Sequence, residues 1–400
     1  MNLLIIWPQY KTSYFNLCYH YTRLGEVADY LKDVCRKIKI IDCGVLAASW
    51  KDVENEIKNG DYDVVAVLND FLAIESIKKI IKLCKQESPK TKIITYGEVS
   101  SLIPNFFRKY NLDAIVYSGD WEDGIKNYIE YLNRKRKITE ITGLYIRTTS
   151  YWFVTPKGGL LDPSKWGFPA LDLLPLNDYF NLYKKYKNIA GIRNKKELAL
   201  TISKGCPFNC PFCNIPRIFG TRERRREIKT TLNYIRNAIS DYNFDYVSMF
   251  SPTFTLDRQW VIKFCREIKK RKLNFEWKCV TSINCIDEKL IKLMADAGCF
   301  RIGFGIESLE KSAQENIKKH INENVIEQTI KKCKENGIEP LCFLMENIPG
   351  ETEEGLKHTV EKIRAMGGII RVSDYTPFQN LNDDMSEKEV MSYDKRQRFL

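Results

Sequence analysis

Histidine is scarce, with three residues among 400. No apolar run reaches the roughly 18 residues that a spanning helix needs, so a membrane span is not expected. The opening MNLLIIWPQY has neither a basic leader nor a small-residue cleavage site and meets Pro8. It reads as a first strand and not as a signal peptide. Thirteen cysteines without an export signal suit a reducing cytosol and mostly free thiols. Long low-complexity tracts are missing too. The short basic runs NRKRK (133–137) and TRERRREIK (221–229) lack the interleaved aromatics of a single-strand nucleic-acid groove. The net charge of +12 is therefore read as solvated helix faces, with an anionic partner as the alternative.

What is present is alternation. In residues 1–135, strand-like stretches fall at 3–7, 37–42, 62–68, 91–97 and 112–119. Helical patterns lie between them, near 20–33, 51–59, 73–86, 100–109 and 121–132. The strands are apolar almost throughout, as strands buried on both faces are. Five such units predict an α/β domain with a doubly wound parallel sheet, whose ligands bind beyond the carboxyl ends of the strands. Residues 136–196 are rich in turn residues and aromatics. They read as a β-hairpin near 143–155 and then a packed, proline-rich linker. From 197 to 376 six further β-α repeats, with longer helices, predict a partial (β/α)6 barrel with its site at the carboxyl ends of the strands. Residues 377–400 read as a loop and a charged terminal helix.

The densest chemistry follows the first barrel strand. SKGCPFNCPFCNIP (203–216) places Cys206, Cys210 and Cys213 in the spacing C-x3-C-x2-C. A structural zinc site wants four protein ligands, and a catalytic one usually recruits histidine. The loop has no histidine, and no second C-x2-C pair stands at finger spacing. Three thiolates can instead hold a four-iron cubane and leave one iron open to a small chelating ligand. Pro207 and Pro211 stiffen the loop, and Phe212 is placed to wall the cluster from solvent. Zinc and a chance grouping of core cysteines remain the alternatives.

With an aromatic before its last cysteine, this motif resembles that of the radical S-adenosylmethionine enzymes. The resemblance implies a [4Fe-4S] cluster whose open iron chelates the methionine part of S-adenosylmethionine, and a 5′-deoxyadenosyl radical that takes a hydrogen from carbon. It carries over to other stretches. GFGIES (303–308) resembles the family's fourth-strand motif, which places Glu307 near the cofactor's ribose or amino group. VTSIN (280–284) ends the third strand, with Ser282 and Asn284 toward the cofactor carboxylate. MENIPGET (345–352) resembles the turn that holds adenine. Arg217 and Arg222 read as a solvated basic turn or as contacts to a carboxylate. One departure stands out. Relatives carry an acidic pair after the second strand, where this chain has Ser251 and Pro252, although Phe254, Thr255 and Asp257 keep the frame.

The domain ahead of the barrel extends the resemblance to the cobalamin-binding class of the family, and it then covers nearly the whole chain. Gly97 and Gly119 stand where small residues let backbone approach the corrin tail. Tyr96 and Trp121 depart from the pattern nearby. The D-x-H-x-x-G sequence of a lower axial ligand is missing, and His20 is the only N-terminal histidine. The resemblance implies a cytoplasmic cobalamin-dependent C-methyltransferase, acting on an unactivated carbon of a small metabolite or peptide and reduced by a flavodoxin- or ferredoxin-type donor. Two rivals stand beside it. One is radical chemistry of another outcome (rearrangement, cyclisation or transfer of another cofactor fragment) on a vestigial cobalamin scaffold. The other is an iron–sulfur sensor that binds nucleic acid.

Overall fold

A computed structural model describes residues 1–8, 21–46, 49–185, 196–394 and 397–399. The chain divides into two compact units. The first comprises residues 1–182, 214–220 and 380–394, and the second 183–213, 221–379 and 395–400.

In the first unit seven strands form one sheet: β1 (Asn2–Trp7), β2 (Lys37–Asp42), β3 (Val64–Asn69), β4 (Lys92–Gly97), β5 (Ala114–Val116), β6 (Leu144–Arg147) and β7 (Trp152–Val154). The order is β2-β1-β3-β4-β5-β6-β7, with the first five parallel. Every residue of β1 and β3 is buried, as their unbroken apolar runs require. The expected hairpin does not stand apart, because β6 and β7 extend the sheet as antiparallel strands. Helices Trp50–Asn59, Ile74–Glu87 and Trp121–Leu132 connect the strands. The first of these starts on a capping box between Ser49 and Asp52. The linker is packed: Trp166 is buried, and Tyr179 donates from its hydroxyl to Asp42 at 3.0 Å. It also carries a helix, Leu176–Lys185, that its proline-rich approach hid from a reading of the sequence.

The second unit holds β8 (Glu197–Thr201), β9 (Ser203–Lys204), β10 (Arg224–Arg225), β11 (Tyr246–Phe250), β12 (Glu276–Thr281), β13 (Cys299–Glu307), β14 (Glu339–Glu346), β15 (Ile369–Asp374) and β16 (Gln397–Phe399). Its large sheet runs β16-β15-β14-β13-β12-β11-β8, and β9 pairs with β10 apart from it. Strands β8 and β11 to β15 are parallel, the six repeats of a partial barrel. Strand β16 closes one edge antiparallel, in a tail expected to be only loop and helix. That tail does contain a helix, Glu387–Met391, whose charges are used within the first unit. There Glu387 accepts from Lys78 at 2.8 Å and Tyr110 at 2.6 Å.

Behind the barrel strands an aromatic core of Phe254, Phe264 and Trp277 is fully buried. Trp277 also donates its indole N–H to the Ala297 carbonyl at 2.7 Å. Trp277→Ala is expected to cost roughly 3–5 kcal/mol, read as a lower urea midpoint for the second unit. An unchanged midpoint would contradict this packing.

Candidate functional site

The cysteine loop leaves the first barrel strand under tight control. The Ile202 amide donates to the Phe250 carbonyl at 2.6 Å, and β9 then turns back to pair with β10. Buried Arg226 fastens that return, donating from Nε to the Thr201 carbonyl at 2.6 Å. Arg225 lies over the Trp260 ring and donates to the Phe254 carbonyl at 2.9 Å. The ends of the loop are thus fixed from both sides.

Within it Cys206 is buried, while Cys210 and Cys213 are half-buried. The Cys213 amide donates to the Cys210 carbonyl at 3.1 Å, a turn that brings the last two thiols together. Phe212 is buried against Ala313, Ile317, Met345 and Ile348, with Cys210, Cys213 and Tyr375 at the edge of that cluster. Burial pushes the Cys210 thiol up; Lys319 pulls it back, and the neighbouring thiols add to the rise. Three thiolates together therefore need a cationic partner. Among the described residues no three Cys, His, Asp or Glu groups converge on a point for one metal ion. Thiolates bound to separate corners of a cubane need no such convergence. An all-sulfur donor set on a stiffened loop suits an iron–sulfur cluster.

The segment after β11 explains what replaced the acidic pair. Ser251 shares a 2.6 Å hydrogen bond with Ser203, at the root of the cysteine loop. Thr253 lies 3.9 Å from the Cys206 sulfur. Thr255 and Thr281 pair at 2.5 Å, and Asp257 caps helix Arg258–Lys270 through the Trp260 amide. Neutral hydroxyls here support the root of the loop by hydrogen bonds.

Glu307 ends β13 in the left-handed region, at φ 67°, beside a register shift against β14. Its carboxylate is buried and paired with Lys319 at 2.9 Å. Gly305 makes room for the pair, since a Cβ there would meet Glu307 Oε1 at 2.5 Å and Lys319 Nζ at 2.7 Å. Breaking such a buried pair costs roughly 3–5 kcal/mol. Lys319 is not legible from the sequence, because the pattern over 310–335 reads as one helix whereas the structure has two, Lys311–Asn316 and Glu323–Glu335. The break, with Lys318 left-handed at φ 52°, is what turns Lys319 toward Glu307. Ser282 precedes a short 3-10 turn, Ile283–Cys285, and Asn284 on that turn is exposed. Burial pushes the Cys285 thiol up, Ser282 pulls it back, and Cys206 adds to the rise, so a fourth thiol that the motif did not announce lies near the first. In the turn after β14, burial and the charges of Glu310 and Glu346 push Glu351 up to about 6. Arg217 and Arg222 are exposed.

In the first unit the loops after β3 and β4 close on each other. A Cβ on Gly97 would meet the Asn69 carbonyl at 2.2 Å, and one on Gly119 would meet the Gly159 carbonyl at 2.7 Å. Both glycines thus serve close approach of the chain to itself. Above them Arg23 pairs with Asp70 at 3.0 Å and with Glu98. Asn214 donates to the other oxygen of Glu98 at 2.9 Å. Trp121 packs on Phe219, Tyr96 and the Arg23 guanidinium, and its indole donates to Ser101 at 2.9 Å. Carboxylates, a guanidinium and a carboxamide make a floor suited to the peripheral amides of a corrinoid, not to its metal. No imidazole stands among the described residues of this unit; residues 9–20, which include His20, lie outside them.

Comparison with known proteins places these features. Residues 200–363 match the Radical SAM superfamily. An uncharacterized methyltransferase of Pyrococcus horikoshii is 26% identical over 83% of this chain and 71% of its own. An anaerobic magnesium-protoporphyrin IX monomethyl ester cyclase of Rubrivivax gelatinosus is 23% identical over 99% of this chain and 72% of its own. The solved radical S-adenosylmethionine methyltransferase TsrM of Kitasatospora setae, with cobalamin and a [4Fe-4S] cluster bound, superposes with a TM-score of 0.74 at 15% identity. That superposition covers 93% of this chain and 72% of the other.

Burial and the Glu98 charge push Asp70 up from 3.8 to about 6, against the pull of Arg23. Folded Asp70 therefore holds its proton to higher pH than unfolded Asp70, and its contribution to stability falls as pH rises between these values. Wild-type stability across that window should decline relative to that of Asp70→Asn, measured by urea unfolding at each pH. Parallel curves would contradict the assignment.

Proposed function

We propose, from the premise that residues 200–363 are a radical S-adenosylmethionine domain, that the chain is a cobalamin-dependent radical enzyme. Its reaction is methylation of an unactivated carbon in a small metabolite or peptide, in the cytoplasm. One observation carries the reading: a three-thiol loop leaves the first strand of a partial barrel, in a chain that also carries a β2-β1-β3-β4-β5 sheet. Sheets of that order bind ligands at the carboxyl ends of their strands. The Pyrococcus horikoshii methyltransferase and the TsrM superposition support both halves.

Cys206, Cys210 and Cys213 would hold the cluster, which supplies the single electron that cleaves S-adenosylmethionine. Phe212 excludes water from one side of the thiols. Glu307, paired with Lys319 in the protein alone, would accept from the ribose or amino group. Ser282 and Asn284 would lie toward the cofactor carboxylate, and residues 345–352 would hold the adenine. Gly97 and Gly119 shape the loops that underlie a corrinoid, which supplies the methyl group. A flavodoxin- or ferredoxin-type protein would be the electron donor. Among the described residues no helix is long and apolar enough to cross a membrane.

A second reading, radical chemistry of another outcome, is favoured by the cyclase relative, which matches 99% of this chain. The replacement of the acidic pair by Ser251 and Pro252 points the same way. By-products separate the two. Anaerobically reconstituted protein with reductant and S-adenosylmethionine should form 5′-deoxyadenosine, and with cobalamin also S-adenosylhomocysteine. Combined Cys206→Ala, Cys210→Ala and Cys213→Ala should cut the first by roughly a hundredfold or more. An undiminished yield would refute the cluster assignment. Formation of 5′-deoxyadenosine with no S-adenosylhomocysteine would favour the second reading.

A further inference from the structure

We propose that the short helix Lys311–Asn316 ties the cysteine loop to the turn after β14, and that Glu310, Ser312 and Asn316 are positioning residues for the adenine of the cofactor. The proposal rests on the reading of residues 345–352 as the turn that holds adenine. Every contact in it lies within the second unit. That turn cannot fix itself. It leaves β14 through Asn347, left-handed at φ 63°, and doubles back through Gly350 at φ 83°. Within it the Glu351 amide donates to the Ile348 carbonyl at 2.9 Å. The carbonyls of Pro349 and Gly350 and the amide of Thr352 look to side chains instead.

Those side chains come from the helix after β13. Ser312 donates its hydroxyl to the Gly350 carbonyl at 2.6 Å. Asn316, one turn on, donates its carboxamide to the Pro349 carbonyl at 2.7 Å and to the Ser312 carbonyl at 3.0 Å. Both acceptors are carbonyls, so only one orientation of the carboxamide satisfies them. Glu310, just before the helix, accepts from the Thr352 amide at 2.8 Å and from its hydroxyl at 3.3 Å. A Cβ on Gly355 would collide with that carboxylate, and one on Gly350 would meet Asn316 Nδ2 at 2.7 Å. Two glycines thus keep this seam closed. The neighbouring face of the helix, Ala313 with Ile317 four residues on, is buried in one cluster with Phe212 of the cysteine loop and Ile348 of the turn. Gln314 pins the helix to the end of β13 by donating to the Ser308 carbonyl at 3.0 Å. One helix therefore holds Phe212, next to Cys213, on one face and the backbone of the turn on the other. Serine and asparagine are poor helix formers because their side chains seek backbone groups. At 312 and 316 they find those of the neighbouring loop. Backbone groups that read a base tolerate little misplacement, since a hydrogen bond weakens steeply as its geometry departs from linear.

The test uses the full chain, reconstituted anaerobically. Equilibrium dialysis compares S-adenosylmethionine with its inosine counterpart, in which oxygen replaces the adenine amino group. Iron and sulfide content and the rate of 5′-deoxyadenosine formation at saturating S-adenosylmethionine are measured beside it. Glu310→Ala, Ser312→Ala and Asn316→Ala should keep their iron and sulfide and bind S-adenosylmethionine roughly tenfold more weakly. Their preference for it over the inosine counterpart should shrink by a similar factor. The saturated rate should stay within about twofold of wild type, because the interaction lost is made equally before and during the reaction. Glu310→Gln keeps an acceptor for Thr352 and Ser312→Thr keeps the hydroxyl, so both should restore affinity and preference. Lys357→Ala, exposed on helix Glu353–Met366, serves as control. Wild-type affinity and preference in the alanine variants would overturn the proposal. Equal weakening toward both ligands would overturn it too, since that marks a loosened fold and not a displaced base. Should Glu310→Ala fail to fold, Ser312→Ala and Asn316→Ala decide. A wild type that binds the two ligands alike would instead remove the adenine reading beneath the proposal, and that failure shows before any variant is made.

Discussion

Three sulfurs within eight residues are one short of the four ligands of a structural zinc site, and on a cubane they would leave one corner without a protein ligand. Much of the barrel unit serves that constraint. Arg226 clamps the loop to the strand it leaves, Ser251 and Ser203 pair at its root, and Phe212 seals one side with four apolar neighbours. The charges follow the same logic. A cluster of thiolates is costly in a partly buried site, and Lys319, which pulls the Cys210 thiol back, is already engaged by Glu307. The pair keeps both groups compensated in the protein alone. It also places a carboxylate and an ammonium together beside Cys210, where a zwitterionic amino-acid cofactor would meet both signs of charge.

The two units solve related problems on different sheets. Each presents the carboxyl ends of parallel strands, and each uses glycine for close approach: Gly305 for an ion pair, Gly97 for the neighbouring loop. In the first unit the resulting edge is polar and already hydrogen-bonded among Arg23, Asp70, Glu98 and Asn214. A corrinoid lying there would exchange amide contacts with this floor. The floor's cost in desolvation is visible in Asp70, which holds its proton to about 6.

Much of the architecture was legible because buried parallel strands write themselves as apolar runs. Strands β1, β3 and β4 lie within a residue or two of where those runs fall, as do the barrel strands β12 to β14 against the strand-like stretches 275–282, 300–308 and 338–346. The thiol loop was legible because its spacing is local. What was hidden depended on distant partners. Lys319 sits in a break between two helices whose amphipathic pattern runs on without interruption, and only Glu307, twelve residues earlier, accounts for its direction. Arg23, Asp70 and Glu98 lie on three separate loops and helix ends, with no common motif. Strand β16 lies in a charged tail with no alternation to mark it. Gly97 and Gly119 were read as places where backbone approaches a corrin tail; in the structure a Cβ on them would meet the backbone of Asn69 and Gly159.

A vacant iron corner is the claim on which the rest turns. Mössbauer spectra of protein reconstituted with 57Fe, recorded before and after addition of S-adenosylmethionine, address it directly. One of the four irons should change its isomer shift while the other three stay as they were. Four irons that remain alike when the cofactor is added, or the absence of any four-iron spectrum, would contradict it.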